Sequence, residues 1–296
     1  MTIFDGLQLA AEKEIAIKAR VDALLQAGRK ICIAAILFEE DAGSRLYTRL
    51  KQEAAARVGM EYQVYTFSMN DSLQLVLSQL QLLNTDRRVT GIIIQKPSKQ
   101  KWEEIVTTMG GGPTFAEWWQ SLVSHIELRK DVDGLHPVTL QAIVDGRRAE
   151  QGLVMPATAK AVITILEQAE LIRADATYII LGRSDILGKP LWHELLHRGL
   201  QAEMIGSAEL RHRKELGLGL KDATVIITAT GRPGLITGDL LLPGAAVIDV
   251  GEPKPDVDRE SVEPVAGFLT PVPGGVGPVT VVSLLENALD LVESVV

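Results

Sequence analysis

Tyr178-Ile-Ile-Leu-Gly-Arg-Ser-Asp-Ile-Leu-Gly188 decides how this chain folds. A short continuous apolar run ends in glycine, passes through a polar turn and opens at a second glycine into the helical pattern Leu187 to Arg198. Such a run, Tyr178 to Gly182, reads as a strand buried on both faces of a parallel sheet. The turn after it lies where the N–H groups of a helix start can face a dinucleotide pyrophosphate. Gly182, Arg183, Ser184 and Gly188 are therefore candidate cofactor-binding residues, although their spacing is not the usual G-x-G-x-x-G.

Toward the C-terminus the rhythm continues with strands Ala202 to Gly206, Thr224 to Thr230 and Ala245 to Gly251, so four strands form one α/β domain. The strand after the phosphate turn ends at Gly206-Ser207 with no acid at its tip, Glu209 standing slightly beyond. Arg183 lies close to the turn, and Arg211 and Arg213 follow the second strand, an arrangement that favours a 2′-phosphate and hence NADP, with NAD possible. Thr230-Gly-Arg-Pro233 and Asp249-Val-Gly251 end further strands and are either plain βα turns or the flanks of a ribose and nicotinamide.

Next comes Thr270-Pro-Val-Pro-Gly-Gly-Val-Gly-Pro-Val-Thr280, which is neither helix interior nor central strand, because proline withholds an N–H and glycine is entropically costly there. It is a shaped loop: a tight turn with Pro278 at a helix start, or bare backbone that a flat ligand can approach. The apolar positions of Val279 to Val295 then predict a last helix.

Toward the N-terminus, strand and helix alternate again. Residues 7 to 27 read as a helix stopped by Gly28, Lys30 to Phe38 as a buried strand, and Ser44 to Val58 as a helix with Ser44 as N-cap and Gly59 after its end. Tyr62 to Phe67 reads as a strand, Asp71 to Leu83 as a helix and Gly91 to Gln95 as a buried strand. From Ser98 to Arg129 the pattern loosens around Trp102, a break at Gly110-Gly-Gly-Pro113, and Trp118-Trp119, as expected of a surface excursion with amphipathic helical pieces. Two parallel-sheet domains follow, the second restarting after Met155-Pro156.

The 296 residues suffice for two cores, and 46% hydrophobic with 23% charged residues is ordinary for a globular protein. A net charge of −8 argues against nucleic acid as a partner. No apolar run reaches the roughly 18 residues that cross a bilayer, and Met1 to Arg20 lacks a signal-peptide core. The single Cys32 has no partner for a disulfide or cysteine metal site, so a cytoplasmic protein without a metal is expected.

Tyr47 and Lys51, four apart, stack on one helix face. Such a lysine is either exposed over a ring or, where desolvation or a positive neighbour lowers its pKa, a general acid/base. Gln95 ends a buried strand, where open parallel sheets face their ligand, or simply caps that strand. Lys130-Asp-Val-Asp-Gly134 sets two carboxylates before a glycine, which suits an Asp-stabilised turn or a carboxylate that grips a heterocycle.

In this order the blocks Ser44-x-x-Tyr47-x-x-x-Lys51, Gly91-Ile-Ile-Ile-Gln95-Lys-Pro97, Lys130 to Gly134, Gly182-Arg-Ser184 with Gly188-Lys-Pro190, Thr230 to Pro233 and Thr270 to Pro278 resemble the bifunctional methylenetetrahydrofolate dehydrogenase/methenyltetrahydrofolate cyclohydrolase family. The resemblance covers most of the chain. It implies an N-terminal α/β catalytic domain that binds folate (residues 1–145, joined by a C-terminal helix, 278–296), a Rossmann-type NADP domain (146–277), and a cleft between them. It implies oxidation of 5,10-methylenetetrahydrofolate with NADP and hydrolysis of the methenyl product to 10-formyltetrahydrofolate by a homodimer. Lys51 resembles the family's general acid/base, Tyr47 the residue that places substrate, Gln95 the lysine's partner, and Asp133 the carboxylate that grips the pterin edge. Pro273, Gly274 and Gly275 fall on the substrate side. Thr230, Gly231, Gly251, Gly275, Val276, Gly277 and Thr280 join the phosphate turn as cofactor residues. A monofunctional dehydrogenase and a folate- or nucleotide-binding protein without turnover are the alternatives.

Several blocks depart from the family's usual pattern: Pro156-Ala-Thr-Ala159 for Pro-Cys-Thr-Pro, Gln95-Lys-Pro-Ser98 for Gln-Leu-Pro-Leu, and Asp249-Val-Gly-Glu-Pro for Asp-Val-Gly-Ile-Asn. After the second strand of the cofactor domain, Gly206-Ser-Ala-Glu209 replaces the family's His/Ser/Thr turn.

Overall fold

A computed structural model describes residues 1–106, 113–252 and 254–294. The expected break at Gly110 to Gly112, Pro253 of the departing Asp249 block, and Val295 of the expected last helix lie outside the described residues. The chain divides into two compact units.

One unit comprises Glu12–Ala142, Arg148–Val154 and Leu284–Val296. Its parallel sheet has the order β3-β2-β4, with β2 (Cys32–Phe38) between β3 (Glu61–Phe67) and β4 (Gly91–Ile94). Every residue of β2 is buried, as its unbroken apolar run requires of a strand covered on both faces, whereas β3, at an edge, mixes exposed and half-buried positions. Helix α2 (Ala42–Val58) ends at Gly59, whose φ of 84° is the left-handed value that favours glycine after a helix. The cap expected at Ser44 is instead Asp41, which accepts from Gly43 N at 2.9 Å and Ser44 N at 3.2 Å. Both residue types cap well, and the helix begins one turn earlier than its apolar pattern does.

The tryptophan-rich excursion forms α4 (Lys99–Val106) and α5 (Phe115–Val123). These helices are not confined to the surface. Trp102, Phe115, Trp118 and Leu122 pack with Ala34, Ile36 and Phe38 of β2 and with Val76, Leu80 and Leu83 of α3 (Leu73–Thr85). Ring centroids lie 5.0 Å apart for Phe38 and Trp118 and 5.6 Å apart for Trp102 and Phe115. Aromatic pairs at such spacing add about 1 kcal/mol each beyond their buried area.

Helices α1 (Gly6–Gln26) and α11 (Val276–Glu293) each contribute their later residues to this unit. Arg20 bridges Asp290 and Glu293 at 2.7 Å each, Lys13 meets Glu286 at 2.9 Å, and the buried Asn287 donates to Val132 O at 3.0 Å.

The other unit comprises Met1–Ala11, Ile143–Arg147 and Met155–Ser283. Among the described residues its parallel sheet has six strands, not the expected four, in the order β1-β9-β8-β7-β5-β6. Strands β5 (Thr177–Leu181), β6 (Gln201–Ile205), β7 (Val225–Thr228) and β8 (Ala246–Asp249) match the apolar runs; α6 (Pro137–Val144) and α7 (Ala157–Gln168) precede β5, α8 (Gly188–His197) follows it, and α10 (Arg259–Val262) comes after β8. The two extra strands, β1 (Thr2–Ile3) and β9 (Phe268–Leu269), are each two residues long, too short to show any periodicity. Their pairing places the first residues of the chain in this sheet. Strand order reverses at β5, which carries β6 on one side and β7 on the other, and the carboxyl end of the strand at such a reversal is where open parallel sheets bind ligands. No helix among the described residues is long and apolar enough to cross a membrane.

Candidate active site

In the three-stranded unit, the site is built by α2 and the end of β4. Asp41, besides capping α2, accepts from Ser98 N at 2.5 Å, and the buried Ser44 donates its Oγ to Lys96 O at 3.3 Å. These bonds tie the start of α2 to the segment just after β4. Seven residues on, about two helical turns, Lys51 reaches the same segment: its Nζ donates to Gln95 Oε1 at 2.9 Å. Gln95 lies one residue beyond β4 and is held by its own N–H to Ile36 O at 2.8 Å. Lys51 is only 6% exposed, so its ammonium depends on protein acceptors rather than water. Tyr47 stands half-buried one turn earlier on the same helix.

The two carboxylates of the Asp-Val-Asp turn divide the readings offered for them. Asp131, 1% exposed, accepts from Leu135 N (3.1 Å), His136 N (2.9 Å) and Thr139 Oγ1 (3.1 Å), which makes it the turn-stabilising residue. Burial pushes its carboxyl up from 3.8 to about 6, while the donated bonds from His136 and Leu135 oppose that rise. Asp133 is half-buried by its surface, and the protein around its carboxyl pushes it above the usual carboxylate range while the charges of Lys51 and Lys96 pull it down. It therefore shares an electrostatic environment with the lysine on α2. Lys96, the residue after Gln95, lies 5.1 Å from the Trp119 ring centroid and 5.7 Å from that of Phe115.

Two hydroxyls in this unit escaped the sequence reading. Thr48 Oγ1 and Tyr62 Oη are buried with no hydrogen-bond partner among the described residues, and the Tyr62 phenol is pushed up by burial and by the Asp133 charge. Thr48 sits three residues before Lys51, a spacing that shares a helix face and was open to recognition; nothing in the local pattern of β3 marks Tyr62.

In the six-stranded unit, the turn from β5 to α8 is so tight that a Cβ on Gly188 would lie 1.9 Å from Gly182 O. Ser184 shapes the turn, its Oγ accepting from Leu187 N at 3.3 Å and its carbonyl from Lys189 N at 3.1 Å. A narrow glycine turn at the strand-order reversal fits a dinucleotide pyrophosphate. Arg183 pairs with Glu209, Nη2 to Oε1 at 2.5 Å. Arg213, expected to help hold a 2′-phosphate, is engaged elsewhere: Nε donates to Gly219 O at 2.8 Å, and the guanidinium pairs with Asp222 and, at 3.6 Å, Glu203.

The next two turns are held by carboxylates. Asp256, fully buried and not singled out in the sequence, accepts from Thr228 Oγ1 (2.8 Å), Thr230 N (2.6 Å), Thr230 Oγ1 (2.9 Å) and Arg232 N (2.8 Å), and so fixes the turn that contains Gly231. It lies in a proline- and charge-rich stretch that reads as an ordinary exposed loop. Asp249 accepts from Gly251 N (2.7 Å) and Val257 N (3.0 Å), and burial pushes it up to about 6.

In the 270–280 loop, Gly275 and Gly274 have different surroundings. A Cβ on Gly275 would lie 2.5 Å from Pro271 O, so a tight turn accounts for that glycine without any ligand. Gly274 has a φ of 101° and no described residue within 4 Å of a Cβ, and of these two glycines it is the one with open space beside it. Gly6 N reaches in to donate to Gly274 O at 3.0 Å. Pro273 is exposed and Gly277 half-buried. Val276 packs its side chain into the core beside Ile180 and Ile248, and Thr280 Oγ1 donates to Val276 O at 3.1 Å, so of Val276 only the backbone is placed to meet a ligand.

Comparison with known proteins adds to this geometry. Residues 4–109 match the family model described as tetrahydrofolate dehydrogenase/cyclohydrolase, catalytic domain, and residues 156–296 match its NAD(P)-binding domain. The bifunctional protein FolD of Staphylococcus aureus is 32% identical over 294 residues, 97% of this chain and 95% of that protein. The crystal structure of the Campylobacter jejuni bifunctional FolD dehydrogenase/cyclohydrolase superposes with a TM-score of 0.85 at 29% identity, all of both chains being covered. The Trypanosoma brucei dehydrogenase-cyclohydrolase, solved with NADP and an inhibitor, gives 0.84 at 28% identity over 99% of this chain and 98% of that one.

Proposed function

Because the chain belongs to the tetrahydrofolate dehydrogenase/cyclohydrolase family, we propose that it oxidises 5,10-methylenetetrahydrofolate to the 5,10-methenyl form with NADP and hydrolyses that product to 10-formyltetrahydrofolate. The observation that carries this reading is the buried Lys51 joined to Gln95 at 2.9 Å, in a chain that also has the glycine turn after β5.

When bound, the dinucleotide supplies a nicotinamide that takes hydride from the bridging carbon of the folate. The protein's part in that step is orientation and exclusion of water. Gly182, Arg183, Ser184 and Gly188 receive the phosphates, and Thr230, Gly231, Gly251, Gly275, Val276, Gly277 and Thr280 hold the remainder. In the hydrolytic step Lys51 Nζ moves the proton between water and the folate nitrogen that departs. Gln95 Oε1 fixes the direction of that amine, Tyr47 places the substrate, and Asp133 accepts from the N–H edge of the pterin. Pro273, Gly274 and Gly275 face the folate. The three-stranded unit serves folate, and the six-stranded unit, which includes Met1–Ala11 and the 270–280 loop, serves the dinucleotide and lends that loop to the folate. We place the protein in the cytoplasm as a homodimer, a state that light scattering of the purified protein tests.

The deciding experiment follows absorbance of purified protein with methylenetetrahydrofolate and each nicotinamide cofactor, reading cofactor reduction and the methenyl band together. Cofactor reduction with only transient methenyl absorbance supports both activities. Accumulation of the methenyl band at the uncatalysed hydrolysis rate leaves a monofunctional dehydrogenase, and no reduction of either cofactor rejects the proposal.

A further inference from the structure

Glu209 follows the tip of β6, next to the phosphate turn, and it makes two bonds at once. Its Oε1 pairs with Arg183 Nη2 at 2.5 Å, and its Oε2 accepts from Gly206 N at 3.1 Å, reaching back over the start of α9 (Ser207–Glu215). The paired strands align Leu181 with Ile205, and Gly182 N donates to Ile205 O at 3.1 Å, so the Gly182 turn and the Gly206 turn are immediate neighbours. A Cβ on Gly206 would lie 3.0 Å from Glu209 Oε2 and 3.8 Å from Arg183 Nη1, which puts the carboxylate and the guanidinium together over the end of β6.

In a sheet of this kind, the end of the strand beside the phosphate turn is where the adenosine ribose presents its 2′ position. A carboxylate there accepts from a 2′-hydroxyl and repels a 2′-phosphate; an unpaired arginine does the opposite. Here the arginine is already neutralised by the carboxylate, and Arg213 is engaged with Gly219, Asp222 and Glu203.

We propose that Glu209 is a specificity-determining residue that lowers affinity for the 2′-phosphate of NADP by holding Arg183 in an ion pair. NADP binds only after Arg183 leaves Glu209; NAD requires no such exchange. The inference rests on the dinucleotide-binding part of the proposed function and on none of its folate chemistry.

Calorimetric titration of the intact protein with NADP and with NAD, in the absence of folate, tests it. Glu209→Gln keeps an acceptor for Gly206 N and removes the charge. It should tighten NADP about tenfold, the scale of one arginine charge made available to a phosphate near the surface, and change NAD by less than about threefold. The gain should vanish in the Arg183→Ala/Glu209→Gln double variant, because the released arginine is its source. An unchanged NADP affinity in Glu209→Gln, an equal gain for both dinucleotides, or a gain that survives Arg183→Ala overturns the proposal. Equal melting temperatures of wild type and Glu209→Gln establish that the comparison is between folded proteins. A protein that binds both dinucleotides yet fails to oxidise methylenetetrahydrofolate loses the proposed activity while leaving this inference intact.

Discussion

Lys51 Nζ lies 2.9 Å from Gln95 Oε1, which joins the third turn of α2 to the residue just beyond β4 across 44 positions of sequence. A lysine on a helix surface would wave in solvent; this one is enclosed and aimed. If its task is proton transfer during hydrolysis, Lys51→Met should abolish cyclohydrolase turnover, by about 100-fold to 10,000-fold, and leave measurable dehydrogenase activity. Separate assays of the two half-reactions check this, and equal loss of both would make Lys51 a binding residue.

Asp131 and Asp133 should separate stability from substrate binding. Asp131→Ala strands two backbone N–H groups and the Thr139 hydroxyl in the interior, at a cost of about 3 kcal/mol or more. Asp133→Ala should unfold at nearly the wild-type urea concentration and raise the KM for folate at least tenfold. Urea titration beside steady-state kinetics distinguishes the two.

The buried Asp131 also gives a pH signature. Its carboxyl rises from 3.8 to about 6 on folding, so the native state holds this proton more tightly than the unfolded chain. Stability from this group is greatest below pH 4, falls by up to about 3 kcal/mol as pH rises through 6, and is flat above. Unfolding free energies from pH 4 to pH 7 should show that this contribution to the slope is absent in Asp131→Asn.

Gly275 and Gly274 lead to opposite expectations for neighbouring substitutions. Gly275→Val drives a side chain into Pro271 O and should cost about 2 kcal/mol or more, visible as a lower melting temperature. Gly274→Ala meets no atom but must hold a φ of 101°, a strain of about 1–3 kcal/mol, and its larger effect should be on the KM for folate. If Gly274→Ala alters melting and leaves KM untouched, the open side of this glycine faces only solvent.

Much of this architecture was legible because long buried strands leave unbroken apolar runs, as in β2 and β5. What was not legible lacked such a signal. Strands β1 and β9 have two residues each, and no period can be read from two residues. Asp41 and Ser44 are equally good caps, and only the bond from Ser98 N shows why the first was chosen. The burial of Phe115, Trp118 and Leu122 is available in their spacing of three and four, but the glycine break before them suggests a surface excursion with amphipathic helical pieces. At the candidate site, Lys51, Gln95 and Asp133 stood out as polar residues in unusual places. Asp256 did not, because its partners Thr228 and Thr230 come close only in the folded sheet.

The pairing of Thr2 with Phe268 and Ile3 with Leu269, reinforced by Thr2 N to Gly267 O at 2.8 Å and Phe4 N to Leu269 O at 2.9 Å, bears on how the molecule is made. During synthesis the segment that becomes β1 leaves the ribosome long before the strand it must join. Until Leu269 has emerged, its backbone donors and acceptors have only water or a chaperone to satisfy them. The edge of the six-stranded sheet is therefore closed late in folding, by a contact of very long sequence separation. Because Gly6 also donates to Gly274, the 270–280 loop waits for the same event before it takes its working shape.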